Sequence, residues 1–410
     1  MGAYEPDRAF VAFISAILLL TLTSTPAISE NGTRISCFVI GAVNPAYSPF
    51  SVYFDMDPLF SYSLEPVPPY LPIEDKKKLD RLYYPRTLED LIDAYEFMVF
   101  VDPWIDHFTS RQIHDLDHVF REEGMCAFSS FGQFFQLVWE ATILYGLWPV
   151  SDYQFIHRNL YRVVFRTERD PVFVPFVELG IENVPGEVYH EMVARDGSTT
   201  WADMMPNGFP WLVSWRPGGT GAGVIWVVPG AFDPTWWGAG RWMDSGASRP
   251  GTDVNPYAID FATNLILYSL DRELVTDILS RREARRLIYS FRTQKLLVLS
   301  MMEWADDFGA NTLALSGSLT ELENRAGEAV EIYLAQDYPA AIGLMQLMGT
   351  EINLLTAEAV ELKDEALLWV YLSEWLVVTS TSIFAGFTLW TLMVRRRKYR
   401  AAGSTRLGSL

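Results

Sequence analysis

Ser130 has the strongest claim to nucleophilic chemistry in this 410-residue chain, in the run MCAFSSFGQF between an apolar stretch and the start of a helical pattern. A serine attacks only when a base lies within hydrogen-bond reach. The five histidines end at His190, well before the last predicted strand, so a cap for the following helix is the plainer role. His114 and His118 stand four apart in HDLDH, with His107 just upstream. That spacing can present two imidazoles to zinc, and Asp115 takes the place that Glu has in zinc-protease motifs. Ile113, Leu116 and Phe120 already form the apolar face of this helix, so solvated flanking histidines account for the pattern without a metal.

Carboxylates and small polar residues gather near presumed strand ends: Asp55, Asp57, Asp102 and Asp106, with Asn44, Ser129, Ser130 and Gly132. In open α/β sheets ligands bind at the carboxyl ends of the strands, and Asn44, Asp102, Ser129, Ser130 and Gly132 form the candidate ligand-binding set. Gly218-Gly219-Thr220-Gly221 lacks the lysine of a phosphate loop and reads as a hairpin turn. Trp211, Trp215, Trp236, Trp237 and Trp242 would make a sugar-stacking or protein-binding surface if exposed; otherwise they pack over a sheet edge. No cofactor is expected.

The elements that must position these residues alternate. Ile35–Val43 is an apolar run of strand length, and 47–72 reads as an irregular excursion rich in Pro, Tyr and Phe. Thr87 with Asp90 predicts a capping box opening a helix, followed by a strand over 96–101. Thr109 or Ser110 caps a helix over 111–123, ended by Gly124. A strand over 125–129 and a helix over 133–145 complete a β-α-β-α-β-α order, which argues for a parallel sheet with helices on both faces. Strands are expected over 162–165, 172–177, 211–215 and 224–228, loop or edge structure over 180–207, loop over 229–256, and a helix over 257–270.

After Asp271, proline vanishes until Pro339, and three helices are predicted, over 272–308, 312–335 and from Pro339 onward. They form a stalk or bundle over 271–366. Residues 367–394 are the expected transmembrane helix. Trp375–Val394 holds no charged residue, matching the ~20 residues that cross a bilayer, and the basic tail 395–410 marks the cytoplasmic end. At the other end Arg8 precedes an apolar run over 9–22, and Ala27-Ile28-Ser29 suits signal-peptidase cleavage, giving a signal peptide over 1–29. Residues 30–270 are then an ectodomain outside the cell membrane, with Asn31 in a glycosylation sequon.

Net charge is -19. The tail holds six Lys/Arg and no acid, leaving -25 on residues 1–394. That charge opposes nucleic-acid or anionic-lipid binding by the outer part. Cys37 and Cys126 lie in apolar runs and read as buried free thiols rather than a bridge. Glu374 sits at the outer edge of the span, and Thr379, Ser382 and Gly386 lie in a small, polar patch suited to close helix packing. These four are the candidate contacts for a membrane partner or a second copy.

The segment from Arg34 to Phe134 resembles the class I glutamine amidotransferase-like superfamily through EFMVFVD, SRQIHDLDHVFREEG and MCAFSSFGQF. The resemblance implies a flavodoxin-like α/β fold and a nucleophile elbow of the pattern Gly-x-Cys-x-Gly-x-Gln. On that pattern Ser130 stands at the nucleophile and Gly132 at the second glycine, while Phe128 replaces the first glycine and Phe134 the glutamine. The family's His-x-Glu pair after a late strand is missing, and His190-Glu191 has the wrong spacing. The C-terminal part also resembles uncharacterised archaeal-type single-pass membrane proteins carrying such a domain.

The expected protein is therefore a flavodoxin-like α/β ectodomain on a helical stalk with one membrane helix. It would act without catalysis as a recognition or assembly subunit, with a transporter or envelope complex as the expected setting. The alternatives are an extracellular hydrolase or amidotransferase using Ser130, and a carbohydrate-binding surface protein using the Trp-rich loops.

Overall fold

The computed structural model describes residues 34–41, 49–66, 73–103, 108–132, 135–166, 170–219, 221–230, 232, 234–237 and 255–406. The expected signal peptide, Asn31, Asn44, Asp106, His107, Phe134 and Trp242 lie outside the described residues. The chain forms two compact units, Met1–Arg286 with Ile332–Tyr338, and Leu287–Glu331 with Pro339–Leu410.

In chain order the first unit contains β1 (Ile35–Gly41), α1 (Phe50–Met56), β2 (Phe60–Pro66), α2 (Ile73–Tyr83), α3 (Leu88–Ala94), β3 (Phe97–Val101), α4 (Ser110–Arg121) and β4 (Cys126–Phe131). There follow α5 (Phe135–Trp139), a 3-10 turn at Ile143–Leu147, β5 (Val150–His157), β6 (Tyr161–Phe165), α6 (Val174–Glu178), β7 (Pro185–Gly186) and β8 (Tyr189–Ala194). β9 (Thr199–Met205), β10 (Phe209–Trp215), β11 (Ile225–Pro229), α7 (Pro234–Trp237) and α8 (Ala258–Ser269) complete it.

A nine-stranded sheet runs β2-β1-β3-β4-β11-β10-β9-β6-β7. Its first five strands are parallel and the rest pair antiparallel. β5 and β8 form a separate antiparallel pair. β3 is buried along its whole length, and so are β4 and β11. Near-continuous apolar runs suit strands covered on both faces. β10 and β11 pair across the glycine-rich turn, which is a hairpin connection as expected.

The capping box at Thr87 forms as read. Thr87 Oγ1 accepts from the Asp90 amide at 3.0 Å, and Asp90 Oδ2 accepts from the Thr87 amide at 3.1 Å. Thr109, not Ser110, caps α4, with Gln112 closing the reciprocal bond. Both Cys37 and Cys126 are free and buried.

Several local expectations change. The segment 47–72 supplies α1 and a parallel edge strand, β2, in which Phe60, Tyr62 and Leu64 alternate with polar residues. The expected strand over 172–177 is a turn and α6: Asp170 Oδ1 accepts from the Val172 amide at 3.1 Å, and Pro175 sits in the first helical turn. β5 was not foreseen, and 180–207 holds two regular strands, β8 and β9. The expected helix over 133–145 contracts to α5 and the 3-10 turn, because its aromatic residues Phe135 and Trp139 pack into the core cluster with Trp148.

Three longer helices follow: α9 (Ile278–Asp307), α10 (Leu313–Leu334) and α11 (Tyr338–Arg406). The first unit closes around an ion cluster at the start of α9. Arg281 donates to Asp260 and Asp57 at 2.5 Å each, and Arg285 donates to both oxygens of Asp260 at 2.5 and 2.8 Å. Tyr333 Oη donates to Asp57 at 3.1 Å. All four charged side chains are at most 3% exposed.

In the second unit apolar side chains of the three helices, such as Phe291, Leu322 and Met345, are buried at three- and four-residue spacings. Lys295–Glu323 and Arg325–Glu351 ion pairs flank them at 2.8 and 2.5 Å. α11 is one helix of 69 residues, ~100 Å at about 1.5 Å per residue. Among the described side chains Ala366 is the last that is buried; beyond it Trp375, Phe384, Phe387 and Trp390 are exposed. This helix carries a stretch long and apolar enough to cross a membrane.

Candidate functional site

The chain leaves β1 for β2 on one side and returns to β3 on the other, so the strand order reverses between β1 and β3. At such a reversal the loops diverge and leave a crevice beyond the carboxyl ends of the strands. Gly41 ends β1 opposite Val101 of β3, and Asp102 follows at once. Asp102 holds a left-handed backbone, φ 41°. This conformation is uncommon outside glycine, and such outliers gather at functional sites. Its amide donates to the Ser130 carbonyl at 2.8 Å, and its Oδ1 accepts from the Gly132 amide at 2.9 Å. Burial raises the Asp102 pKa, and the Gly132 N–H opposes the shift. A side chain at residue 132 would bring its Cβ to 3.1 Å from Asp102 Oδ2.

Ser129 and Ser130 point to opposite faces, as neighbours on a strand must. Ser129 pairs across the sheet with Phe100 and Val227, both in the core cluster with Trp148 and Phe131. Its Oγ is buried without a hydrogen-bond partner. Ser130 is fully buried, and its Oγ accepts from the Phe232 amide at 3.2 Å. The Phe232 ring packs 5.0 Å from Phe50, 5.4 Å from Phe128 and 5.5 Å from Trp237, closing this face with aromatic carbon.

On the opposite face the structure brings Tyr153, which sequence reasoning missed, and His190, which it set aside for its spacing. Tyr153 Oη donates to the Val228 carbonyl at 3.1 Å; burial raises its pKa, and the Asp102 charge adds to the rise. His190 stacks edge-on against Tyr153 at 6.4 Å, and its buried Nδ1 has no hydrogen-bond partner. Gly230, just past β11, lies against that nitrogen. His190 thus reaches the end of the last parallel strand from β8, not from the segment after β11. The available signal was the two-residue spacing of Val188, His190, Met192 and Ala194, which marks a strand.

Burial, then the charge of His157, lower the His190 pKa to about 4. An unfolded histidine titrates near ~6.5. The neutral folded form is therefore fully stabilising above that value. As pH falls from ~6.5 toward 4 the unfolded chain binds a proton that the folded chain does not, and stability drops by about 1.4 kcal/mol per pH unit. Denaturant unfolding across this window is expected to show that slope in the wild type and to lose it in His190→Gln. An unchanged slope would remove His190 as its source.

The zinc spacing is not joined into a site. His114 is exposed, and His118 lies 3.4 and 3.3 Å from the carboxylates of Glu122 and Glu123. Among the described residues no group of three or more His, Cys, Asp or Glu is placed to hold a metal ion. Of the strand-end acids, Asp55 accepts from Tyr62 Oη at 2.8 Å and Asp57 is held in the ion cluster. Trp211, Trp236 and Trp237 are at most 1% exposed and pack against one another, so these indoles offer no open platform. Trp215 donates to the Leu147 carbonyl at 2.7 Å, with Arg195 over its ring.

In the apolar part of α11, Glu374, Ser382 and Gly386 are exposed and Thr379 nearly so. Thr379 and Ser382 donate their hydroxyls to the carbonyls of Trp375 and Val378 at 2.7 and 2.8 Å. Polar atoms satisfied within their own helix are compatible with a hydrocarbon surrounding. No family model matches the chain, and no curated protein matches it.

Proposed function

We propose that this protein is a non-catalytic, membrane-anchored recognition or assembly subunit, with its α/β domain outside the cell and its basic tail in the cytoplasm. The observation that carries the reading is the seat of Ser130. Its hydroxyl is fully buried and engaged by the amide of Phe232, whose ring packs with Phe50, Phe128 and Trp237. A nucleophile needs a base in reach and an open approach for the substrate. Here the histidine of the amidotransferase pattern has no counterpart after β11, and His190 lies on the other face of the sheet. The five parallel strands in the order β2-β1-β3-β4-β11 support a flavodoxin-like domain with a degenerate glutamine amidotransferase-like elbow.

The exposed apolar stretch of α11, followed by Arg395-Arg396-Arg397-Lys398, supports the anchor and its direction. Thr379, Ser382 and Gly386 recur at three and four residues on one face, and a Cβ at residue 386 would meet nothing within 4 Å. A partner helix or a second copy would pack there, with Glu374 at the interface edge.

Two measurements test the reading. A fluorophosphonate probe is expected to leave the detergent-solubilised protein unlabelled; labelling that disappears in Ser130→Ala would establish the hydrolase alternative. Gentle purification from the native membrane is expected to return the chain with a membrane partner or as an oligomer, and Gly386→Leu to disperse it. A lone monomer in both cases would sink the assembly reading.

A further inference from the structure

The turn between β10 and β11 is held more tightly than a hairpin connection requires. A Cβ at residue 218 would lie 2.7 Å from the Arg121 carbonyl oxygen, and one at residue 223 would lie 1.8 Å from that of Met125. Arg121 Nη1 donates to the Pro217 carbonyl at 3.2 Å. Both ends of the turn are thus pressed against the end of α4 and the entry to β4, a close approach of backbone that glycine permits. Arg216, at the base of the turn, donates to the Ala222 carbonyl at 2.7 Å. A side chain mounted on such a support is placed before any ligand arrives.

Beside Arg216 lies a cleft of about 680 Å³, within the ~300–1,000 Å³ of small-molecule sites. It opens at the amino ends of the parallel strands, where β4 and β11 begin, and its lining belongs entirely to the first unit. Buried Cys126 lines it with both bonds of its sulfur used: Sγ donates to the Ser269 carbonyl at 3.2 Å and accepts from the Val224 amide at 3.3 Å. Half-buried Leu270 and Leu274 supply aliphatic carbon. Tyr268, 36% exposed, packs edge-on against Trp201 and Trp226 at 6.0 and 5.9 Å.

Two opposite charges line this cleft without a charged partner. Arg216 spends one N–H on Ala222 and makes no ion pair among the described residues. The Asp271 carboxylate makes neither a hydrogen bond nor an ion pair among them, and the two groups are too far apart to pair with each other. Arg272, also in the lining, is committed to Glu96 at 2.6 Å. Asp271 follows the last turn of α8, and a helix C-terminus favours a cation. A guanidinium takes a carboxylate in a two-pronged pair. A simple anion or cation would satisfy one of the two groups and meet like charge at the other.

We propose that this cleft binds a zwitterion with an apolar body, of the α-amino-acid class. Its carboxylate pairs with Arg216, its ammonium with Asp271, and its side chain lies against Tyr268, Leu270 and Leu274. Such a ligand carries no net charge, so the -19 of the chain neither draws nor repels it beyond a Debye length. The inference stands apart from the anchored, assembly reading: neither Ser130 nor α11 takes part in it.

The test is isothermal titration of the detergent-solubilised full chain with three probes. They are L-leucine, 4-methylpentanoate, which lacks the ammonium, and 3-methylbutylamine, which lacks the carboxylate. L-Leucine is expected to bind saturably at millimolar concentration, and each truncated probe about tenfold more weakly. Arg216→Gln should weaken L-leucine about tenfold and leave 3-methylbutylamine unchanged, while Arg216→Lys, which keeps the charge, recovers part of the loss. Asp271→Asn should weaken L-leucine to a similar degree and leave 4-methylpentanoate unchanged. Asparagine tolerates the left-handed backbone of residue 271, φ 53°, so the Tm without ligand should stay where it was. Absence of saturable L-leucine binding overturns the proposal. So does a truncated probe that binds as tightly as L-leucine, which would mark a site for a simple anion or cation. Equal weakening of all three probes by either variant overturns the separate charge contacts assigned to Arg216 and Asp271.

Discussion

Asp260→Ala is expected to destabilise the α/β unit by about 3–5 kcal/mol, the usual loss when one partner leaves a buried ion pair. Asp260 is fully buried in α8 and takes three hydrogen bonds from two guanidiniums, Arg281 and Arg285. Burial alone would raise its carboxyl, but the charges and hydrogen bonds of Arg285 and then Arg281 outweigh burial and hold it below the usual range. Removing it leaves two buried arginines with only Asp57, one positive charge in excess, in a place that water does not reach.

The double variant Asp260→Ala with Arg285→Met restores the balance of one acid to one base. It should lose clearly less than the sum of its single variants in chemical denaturation, because groups sharing one network are not additive. Additive losses would show that the cluster acts as independent contacts. The sign of the pH dependence follows from the depressed carboxyl. Its stabilisation is complete above the unfolded carboxylate value of ~3.9 and is lost as pH falls below it. Below ~3.9 the wild type should therefore lose stability more steeply with falling pH than the single variant, which lacks this carboxyl.

Gly41→Ala is expected to cost more than about 3 kcal/mol, or to prevent folding. Gly41 sits at φ 120°, and a Cβ there would lie 2.1 Å from the Val101 carbonyl oxygen. The obstacle is backbone of the adjoining parallel strand, which cannot swing aside, at the point where β1 and β3 diverge. Gly230→Ala is the informative comparison. Its φ is 72°, but the nearest atom is His190 Nδ1 at 2.8 Å, part of a side chain that can rotate. Thermal unfolding of the full chain in detergent should rank Gly41→Ala well below Gly230→Ala. Equal losses would mean that the positive φ alone, not the close approach of β1 to β3, decides both.

Much of the parallel sheet was legible because its strands are short apolar runs between strong stop signals. Phe97–Val101 ends at Asp102-Pro103, and α4 is bracketed by Thr109 and Gly124. Such signals act within a few residues, and they held. The antiparallel half was less legible. β8 and β9 carry polar and aromatic residues that alternate weakly, and α6 arose where an apolar run met Asp170 and Pro175. Of the candidate site, Asp102, Ser130 and Gly132 were found by their place after strands, and the structure joins Asp102 to Gly132 and to the Ser130 carbonyl. Tyr153 was missed and His190 set aside since they come from β5 and β8, whose packing against the end of β11 is a long-range contact with no local trace.

By itself the chain determined the run from β3 through α4 to β4, the capping box at Thr87 and the continuity of the last helix. It also determined the uncharged twenty residues before the basic tail. These are local matters, settled by periodicity, by the hydrogen-bonding needs of helix ends, and by the absence of proline after Pro339. Tertiary structure alone decided what covers each serine and that the Phe232 amide engages Ser130. It alone brought Asp57 and Asp260 to Arg281 and Arg285, and set Arg216 and Asp271 on one cleft. Burial and pairing of charges depend on which distant surfaces meet, and no spacing within a segment encodes that meeting.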